Sequence, residues 1–279
     1  MSSIVKALAF SKENSVIAAD LKNLRVMVLN HLQRVHNKMR STRRGSPELV
    51  LVYDMPNVWR KQVFPEYKWK DPEAVYDNGI DMKNFYENFN VIKAEFSESL
   101  PLVSCSVVNA EADDVIAYIA QHELERGNNV SIISNDEDFL QLRDIGVLQY
   151  KATKLTPIDA AYDLFEHVCR GDKVDGIPNI LSPVDCFKNK VRQTTLRASN
   201  VEKWRDNYKS PEMFCDTSAM YDRFITNRKL IDFKYIPQDT IASIATEYVL
   251  CVTRKPTGKI REYCNKYSLT DFLYSGGFQ

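Results

Sequence analysis

The chain has 279 residues, room for one large domain or for an α/β domain with a smaller helical one. At 44% hydrophobic it is too apolar for a disordered chain, and its 37 basic and 37 acidic side chains cancel, so net charge singles out no class of partner. No stretch of about 18 uncharged apolar residues exists to span a membrane, and six cysteines without CxxC or zinc-type spacing read as reduced thiols of a cytosolic protein.

In chain order, the first ten residues are apolar but lack a basic leader and meet Ser11, Lys12 and Glu13 at once, so they are not read as a signal peptide. Leu21, Leu24, Val28, Leu32 and Val35 recur at helical spacing and predict an amphipathic helix over 20–40. A basic run from Arg34 to Arg44 follows, with five Lys/Arg and no acid. Residues 49–53 form a short apolar run that suits a buried parallel strand, and it ends at Asp54. Further strands are predicted over 102–108, 130–134 and 147–150, with a helix over 113–125. Strands alternating with helices predict an α/β fold with a mostly parallel, doubly wound sheet. Beyond Pro157 the strand signals fade and the chain reads as helical and basic, which puts a domain boundary near 155: a catalytic α/β region over 1–155 and a helical region over 156–279.

Acids recur just past the predicted strand ends: Asp54, then Glu111, Asp113 and Asp114, then Asp136 and Asp138. Ligands of open α/β sheets bind at that edge. Asp172 and Asp175 add a further pair within Gly171–Pro178. Each group alone also fits a cap or turn: Glu111, Asp113 and Asp114 open a helix, where the dipole favours acids, and Asp136 or Asp138 can cap the next. Together they crowd carboxylates that cannot all stay ionised without a cation. Oxygen donors with few His or Cys select Mg2+, with Mn2+ as substitute, and a pair of such ions is a standard device for phosphodiester hydrolysis. The four histidines lie outside these acidic motifs and receive no catalytic role.

Three segments in this order, Asn109–Ala117 (NAEADDVIA), Ile132–Leu142 (IISNDEDFLQL) and Gly171–Pro178 (GDKVDGIP), resemble the signature motifs of the 5′-nuclease (flap endonuclease) superfamily. Residues 227–237 and 241–243 are similar to the C-terminal region of its T-even-phage ribonuclease H branch. The resemblance implies a PIN-like nuclease domain followed by a region with a helix-three-turn-helix element. It implies a metal-dependent 5′→3′ exonuclease and flap endonuclease, removing RNA primers and adjacent DNA at replication junctions in the cytoplasm of an infected host. Carried over residue by residue, Asp54, Glu111, Asp113 and Asp136 would hold one Mg2+ and Asp138, Asp172 and Asp175 a second. The implied partners are flap or forked DNA, RNA–DNA hybrid, and the phage single-strand-binding protein and sliding clamp, met by a monomer and away from membranes.

One departure bears on this expectation. The family opens on a strand that ends in an Asp, and Met1 stands where the residue after that Asp belongs. The first strand and one metal ligand are thus expected to be missing, which leaves a catalytically impaired junction-binding protein as the alternative.

Trp59–Lys70 places four cations and four aromatics in twelve residues directly after Asp54. On one reading Arg60 and Lys68 contact the scissile phosphate, Tyr67 stacks on a displaced strand, and Lys61 and Lys70 neutralise backbone charge; on the other the segment is a solvated loop with its aromatics packed on the core. Lys188, Lys190 and Arg192 would grip a duplex arm without reading its sequence. Asn179–Pro183 stands where cellular relatives carry a Gly-rich hairpin, a departure that leaves a potassium site there open. The tail, 268–274, reads either as a docking peptide or as a terminus packing one Phe on the core.

Overall fold

The computed structural model describes residues 20–42, 45–69, 82–274 and 278. Helix α1 (Leu21–Thr42) leads to β1 (Val50–Val52), the short α2 (Arg60–Val63), α3 (Met82–Ser99), β2 (Val103–Cys105) and α4 (Ala112–Glu125). Then come β3 (Ser131–Ile133), a 3-10 helix (Glu137–Ile145) and β4 (Leu148–Tyr150). Each predicted strand region holds a strand, but of three residues only, because the chain leaves the ladder early to form the loops that carry the acids.

β1 pairs parallel to β2, Val50 opposite Val103, and β3 parallel to β4, Ser131 opposite Leu148. Parallel neighbours need a crossover between them; α2 and α3 lie between β1 and β2 in the chain, and the 3-10 helix between β3 and β4. Both strand pairs therefore point their carboxyl ends into loops: Asp54 after β1, Glu111 and Asp113 after β2, and Asp136 and Asp138 after β3.

The second half is helical: α5 (Leu164–Arg170), α6 (Ala198–Trp204), α7 (Ser218–Ile231), α8 (Gln238–Thr253), α9 (Ile260–Lys266) and α10 (Thr270–Tyr274). Between Gly171 and Arg197 the chain forms turns and no helix, so Lys188, Lys190 and Arg192 stand exposed on turns.

The two halves share their cores. Leu24, Val28 and Leu32 of α1 pack with Phe85, Phe89 and Phe96 of α3, and this cluster is completed by Tyr263, Leu269 and Phe272 from near the C-terminus. Full burial of one such aromatic contributes roughly 2–3 kcal/mol. Phe272 is thus a core residue, and of the two expectations for the tail the structure supports packing. Beside this cluster, Arg25 of α1 donates to both oxygens of Glu95 on α3 at 2.8 and 2.6 Å, and the Tyr263 hydroxyl donates to the same carboxylate at 2.9 Å. Ile244 and Tyr248 of α8 close the cluster around β1, β2 and α4. Val58, Phe64 and Tyr67 join α5 and α7. Among the described residues no helix is long and apolar enough to cross a membrane.

Candidate metal centre

Asp54 leaves β1 exposed to solvent, and its Oδ1 accepts the Ala112 amide at 3.0 Å, tying the strand end to the start of α4. Glu111 caps that helix: its side chain accepts an amide of the first turn, while Asp114 accepts the Glu111 amide at 3.1 Å. This reciprocal cap fixes the Glu111 backbone. Asp113, one step along the first turn, is half-buried.

Asp136 is the N-cap of the 3-10 helix, accepting the Asp138 amide at 3.0 Å, and Gln149 of β4 donates to its carbonyl at 2.5 Å. The Gly171–Pro178 turn brings in the last two acids. Its Gly171 has φ +66°, and a Cβ there would lie 2.3 Å from the Ile177 carbonyl oxygen, so the turn closes only on glycine. Asp172 Oδ1 accepts the amides of Val174 and Asp175 at 2.7 and 3.2 Å, which aims the Asp175 side chain back toward α4.

Glu111, Asp113, Asp138, Asp172 and Asp175 thereby line one cleft, closed on its far side by Leu230, Ile231 and Phe233. Their charges act on one another. Asp113 is pushed up to about 8, by burial first and then by Asp136, with Glu111 and Asp54 adding and Lys68 opposing. Asp138 is pushed up to about 7, by burial first, with Asp136, Asp172 and Asp175 adding and His167 opposing. Asp54 and Asp136 sit at the rim, close enough to raise Asp113. Seven carboxylates gather from four loops, and Asp113, Asp138 and Asp175 among them are raised by burial and by neighbouring acids; as hard oxygen donors they suit a divalent cation. Among the described residues, no three His, Cys, Asp or Glu side chains form a ready-made ligand cage.

Cationic and phenolic side chains stand between them instead. Lys68 Nζ donates to Glu111 Oε1 at 2.6 Å and lies 3.6 Å from Asp175 Oδ1. The Tyr67 hydroxyl lies 2.8 Å from both Glu111 Oε2 and Asp175 Oδ2; with one proton to give, it cannot donate to both. His167 of α5 faces Asp138 through Nδ1 at 3.2 Å and Asp172 through Nε2 at 3.5 Å, with the Tyr162 hydroxyl 2.9 Å from Nδ1. The imidazole holds Asp172 below the usual carboxylate range.

Two expectations change here. Arg60 is buried, 4% exposed, and its fork is fully engaged: Nη1 and Nη2 grip Asp114 at 2.9 and 2.7 Å, Nη1 also reaches Glu111 at 2.9 Å, and Nε donates to the Leu230 carbonyl at 2.8 Å. Trp59 Nε1 donates to the same Asp114 at 2.9 Å. A guanidinium so enclosed has no face for a phosphate; it is a strut between α4 and α7. Tyr67, 2% exposed, likewise has no ring face for stacking a base. Lys68 keeps a partly exposed ammonium at the cleft. Lys61 is exposed outside the cleft, and Lys70 lies outside the described residues. His167, to which the sequence assigned no role, proves to bridge the second group of acids. The signal was its place four residues before Gly171, one helical turn ahead of Asp172.

The chain matches two family models: the N-terminal, resolvase-like domain of 5′-3′ exonucleases over residues 10–167, and the C-terminal region of phage T4 ribonuclease H over 158–275. It is 27% identical to the ribonuclease H of Enterobacteria phage T4 over 92% of this chain and 86% of that one. To a 5′-3′ exonuclease of Aquifex aeolicus it is 30% identical over 47% of each chain. Among solved structures it resembles a bacteriophage T5 protein crystallised with metal ions, with a TM-score of 0.58, 14% identity and coverage of 80% and 91% of the two chains. A T5 flap endonuclease in a complex with DNA and metal ions matches with a TM-score of 0.55, 15% identity and coverage of 81% and 91%.

Proposed function

Because the chain belongs to the 5′-3′ exonuclease family, a family of 5′-nuclease hydrolases, we propose that it cuts RNA primers and DNA strands at flaps and replication junctions with the help of two divalent cations, Mg2+ by preference. The observation that carries this reading is the convergence of acids from three separate loops on one cleft, with Asp54 of a fourth close by, where burial and mutual repulsion raise Asp113 and Asp138. The T5 flap endonuclease bound to DNA and metal ions has the same fold and supports a forked substrate.

Asp54, Glu111, Asp113 and Asp136 would hold one cation and Asp138, Asp172 and Asp175 the other. Held by these residues, such a pair would supply activation of a water and charge stabilisation at the phosphodiester. The chain's own groups set the frame. Arg60 and Trp59 fix Asp114, and through the helix cap they fix Glu111. Ile177, Leu230, Ile231 and Phe233 bound the cleft with apolar surface and keep bulk water from its far wall. Lys68 is the cation placed to meet a phosphate, and the exposed Lys61, Lys188, Lys190 and Arg192 would hold the backbone in a salt-sensitive, sequence-independent way. Residues 1–155 would carry the chemistry, and 156–279 would contribute Asp172, Asp175 and most of the duplex contact.

The test is cleavage of a 5′-labelled flap and of an RNA-primed duplex with Mg2+, beside binding of the same junctions in Ca2+. Cleavage that needs Mg2+ and disappears in Asp113→Asn supports the reading. Tight junction binding with no cleavage would replace it with a junction-binding protein.

A further inference from the structure

Lys68 is held in a position that a bound cation would contest. Its ammonium sits 2.6 Å from Glu111 and 3.6 Å from Asp175, bridging an acid of the α4 loop to one of the Gly171–Pro178 turn. Those are acids from each of the two proposed cation sites. The backbone of Lys68 is in the left-handed region, φ +51°, a conformation that a non-glycine residue keeps only where the surroundings impose it. What imposes it is visible: the Lys68 amide donates to the Asp175 carbonyl at 2.8 Å, and Gly176 packs so close that a Cβ would lie 3.3 Å from the Glu66 carbonyl oxygen. The side chain is 38% exposed, so the ammonium has a path out to solvent.

From these contacts we infer that Lys68 is a placeholder cation: it bridges Glu111 and Asp175 in the metal-free protein and is displaced toward the substrate side when divalent cations bind. The inference rests on the metal-dependent reading above. An ammonium in contact with a carboxylate oxygen and a divalent ion ligated by the same carboxylate repel strongly at such separations in a half-buried site. One must leave, and Lys68, with its side chain 38% exposed, has an exit. Metal loading thereby also arms the site. The lysine that would meet the scissile phosphate is withheld while the carboxylates lack cations and released once they have them. Binding free energies are reciprocal, so whatever ion pairing Lys68 gives up on release is subtracted from the apparent affinity for the metal.

Two measurements without DNA test this. In the first, surface amines of the wild-type protein are acetylated with and without Mg2+, and Lys68 is read by mass spectrometry against Lys173, a lysine of the Gly171–Pro178 turn that is exposed. Lys68 acetylation is expected to rise several-fold with Mg2+ while Lys173 stays constant. In the second, Mn2+ binding is followed by electron paramagnetic resonance. Lys68→Ala is expected to bind about tenfold tighter than wild type, the ratio for one charge-assisted hydrogen bond. Lys173→Ala, which removes the same charge nearby, should stay within about twofold of wild type. Unchanged Lys68 acetylation, or equal Mn2+ affinity in the two variants, overturns the placeholder even if the wild type cleaves. If metal frees Lys68 but no flap or RNA-primed duplex is cut, the nuclease reading falls and the placeholder stands. A wild type that takes up no Mn2+ overturns both.

Discussion

Two buried arginines anchor two regions of this molecule, and they do so differently. Arg25, 8% exposed, grips Glu95 between α1 and α3, and among the described residues Glu95 accepts from that arginine and from tyrosine. Arg60, 4% exposed, grips Asp114 and Glu111, but Glu111 is shared with Tyr67 and Lys68 and faces a cleft of further acids. In the first region the Glu95 carboxylate is matched by Arg25 and Tyr263, beside a cluster of apolar and aromatic side chains. In the second, negative charge exceeds the cations set against it. The same guanidinium chemistry therefore closes one region and holds the other open for charge still to come. The lesson is to judge a buried ion pair by the acid left over beside it.

The sharpest way to break the comparison is to remove the arginines. Arg60→Ala leaves Asp114 buried with only Trp59 and the Glu111 amide as donors, and we expect a loss of about 3–5 kcal/mol in urea unfolding. Arg25→Ala should cost less, because Glu95 keeps Tyr263 and is partly hydrated. Equal losses would mean that the surplus acids around Arg60 do not matter to the fold.

Acid separates the regions next. His31 lies in the α1 core, 2% exposed, with neither ring nitrogen hydrogen-bonded, and burial first and Arg34 second push it down to about 4. Its folded value lies below the unfolded one near 6.5, so the unfolded chain binds more protons in between. Stability should hold above pH 6.5 and fall by up to about 3 kcal/mol as pH drops toward 4. Thermal melts of His31→Leu should lose most of that slope; an unchanged slope would place the acid sensitivity elsewhere.

Metal should act on the other region alone. Mg2+ at about a hundred times its Kd should stabilise the wild type by about 2.7 kcal/mol, read as a raised Tm. Asp113→Asn should lose most of this gain and Arg25→Ala should keep it. The smallest effect is expected from replacing the closed pair outright. Arg25→Met with Glu95→Leu should stay within about 1 kcal/mol of wild type, as buried pairs often do when exchanged for apolar side chains.

Much of the centre was legible because its signals are local. A short apolar run that ends in an acid gives a strand and its loop, and Asp54, Glu111, Asp113, Asp136 and Asp138 each follow from such a run. The roles of Arg60 and Tyr67 were not, because Trp59–Lys70 reads as an exposed basic and aromatic face until its partners are known. Those partners are Asp114, 54 residues on from Arg60, and the Leu230 carbonyl, 170 residues on. No pattern within the segment announces them. His167 was missed for a related reason. Its two acids come from opposite sides in the chain, Asp138 from the 3-10 helix and Asp172 from a turn whose closure depends on Gly171.

The packing of Tyr263, Leu269 and Phe272 against α1 and α3 has a consequence for how the protein is born. During synthesis the first helix leaves the ribosome more than 200 residues before the aromatics that cover it, and at about 5–20 residues per second that interval lasts some ten seconds or more. For that time the apolar stripe of α1 lacks the cover of Tyr263, Leu269 and Phe272. A nascent chain stalled before Tyr263 should bind a hydrophobic dye and be readily cut by protease within α1, and both should cease once Phe272 has emerged.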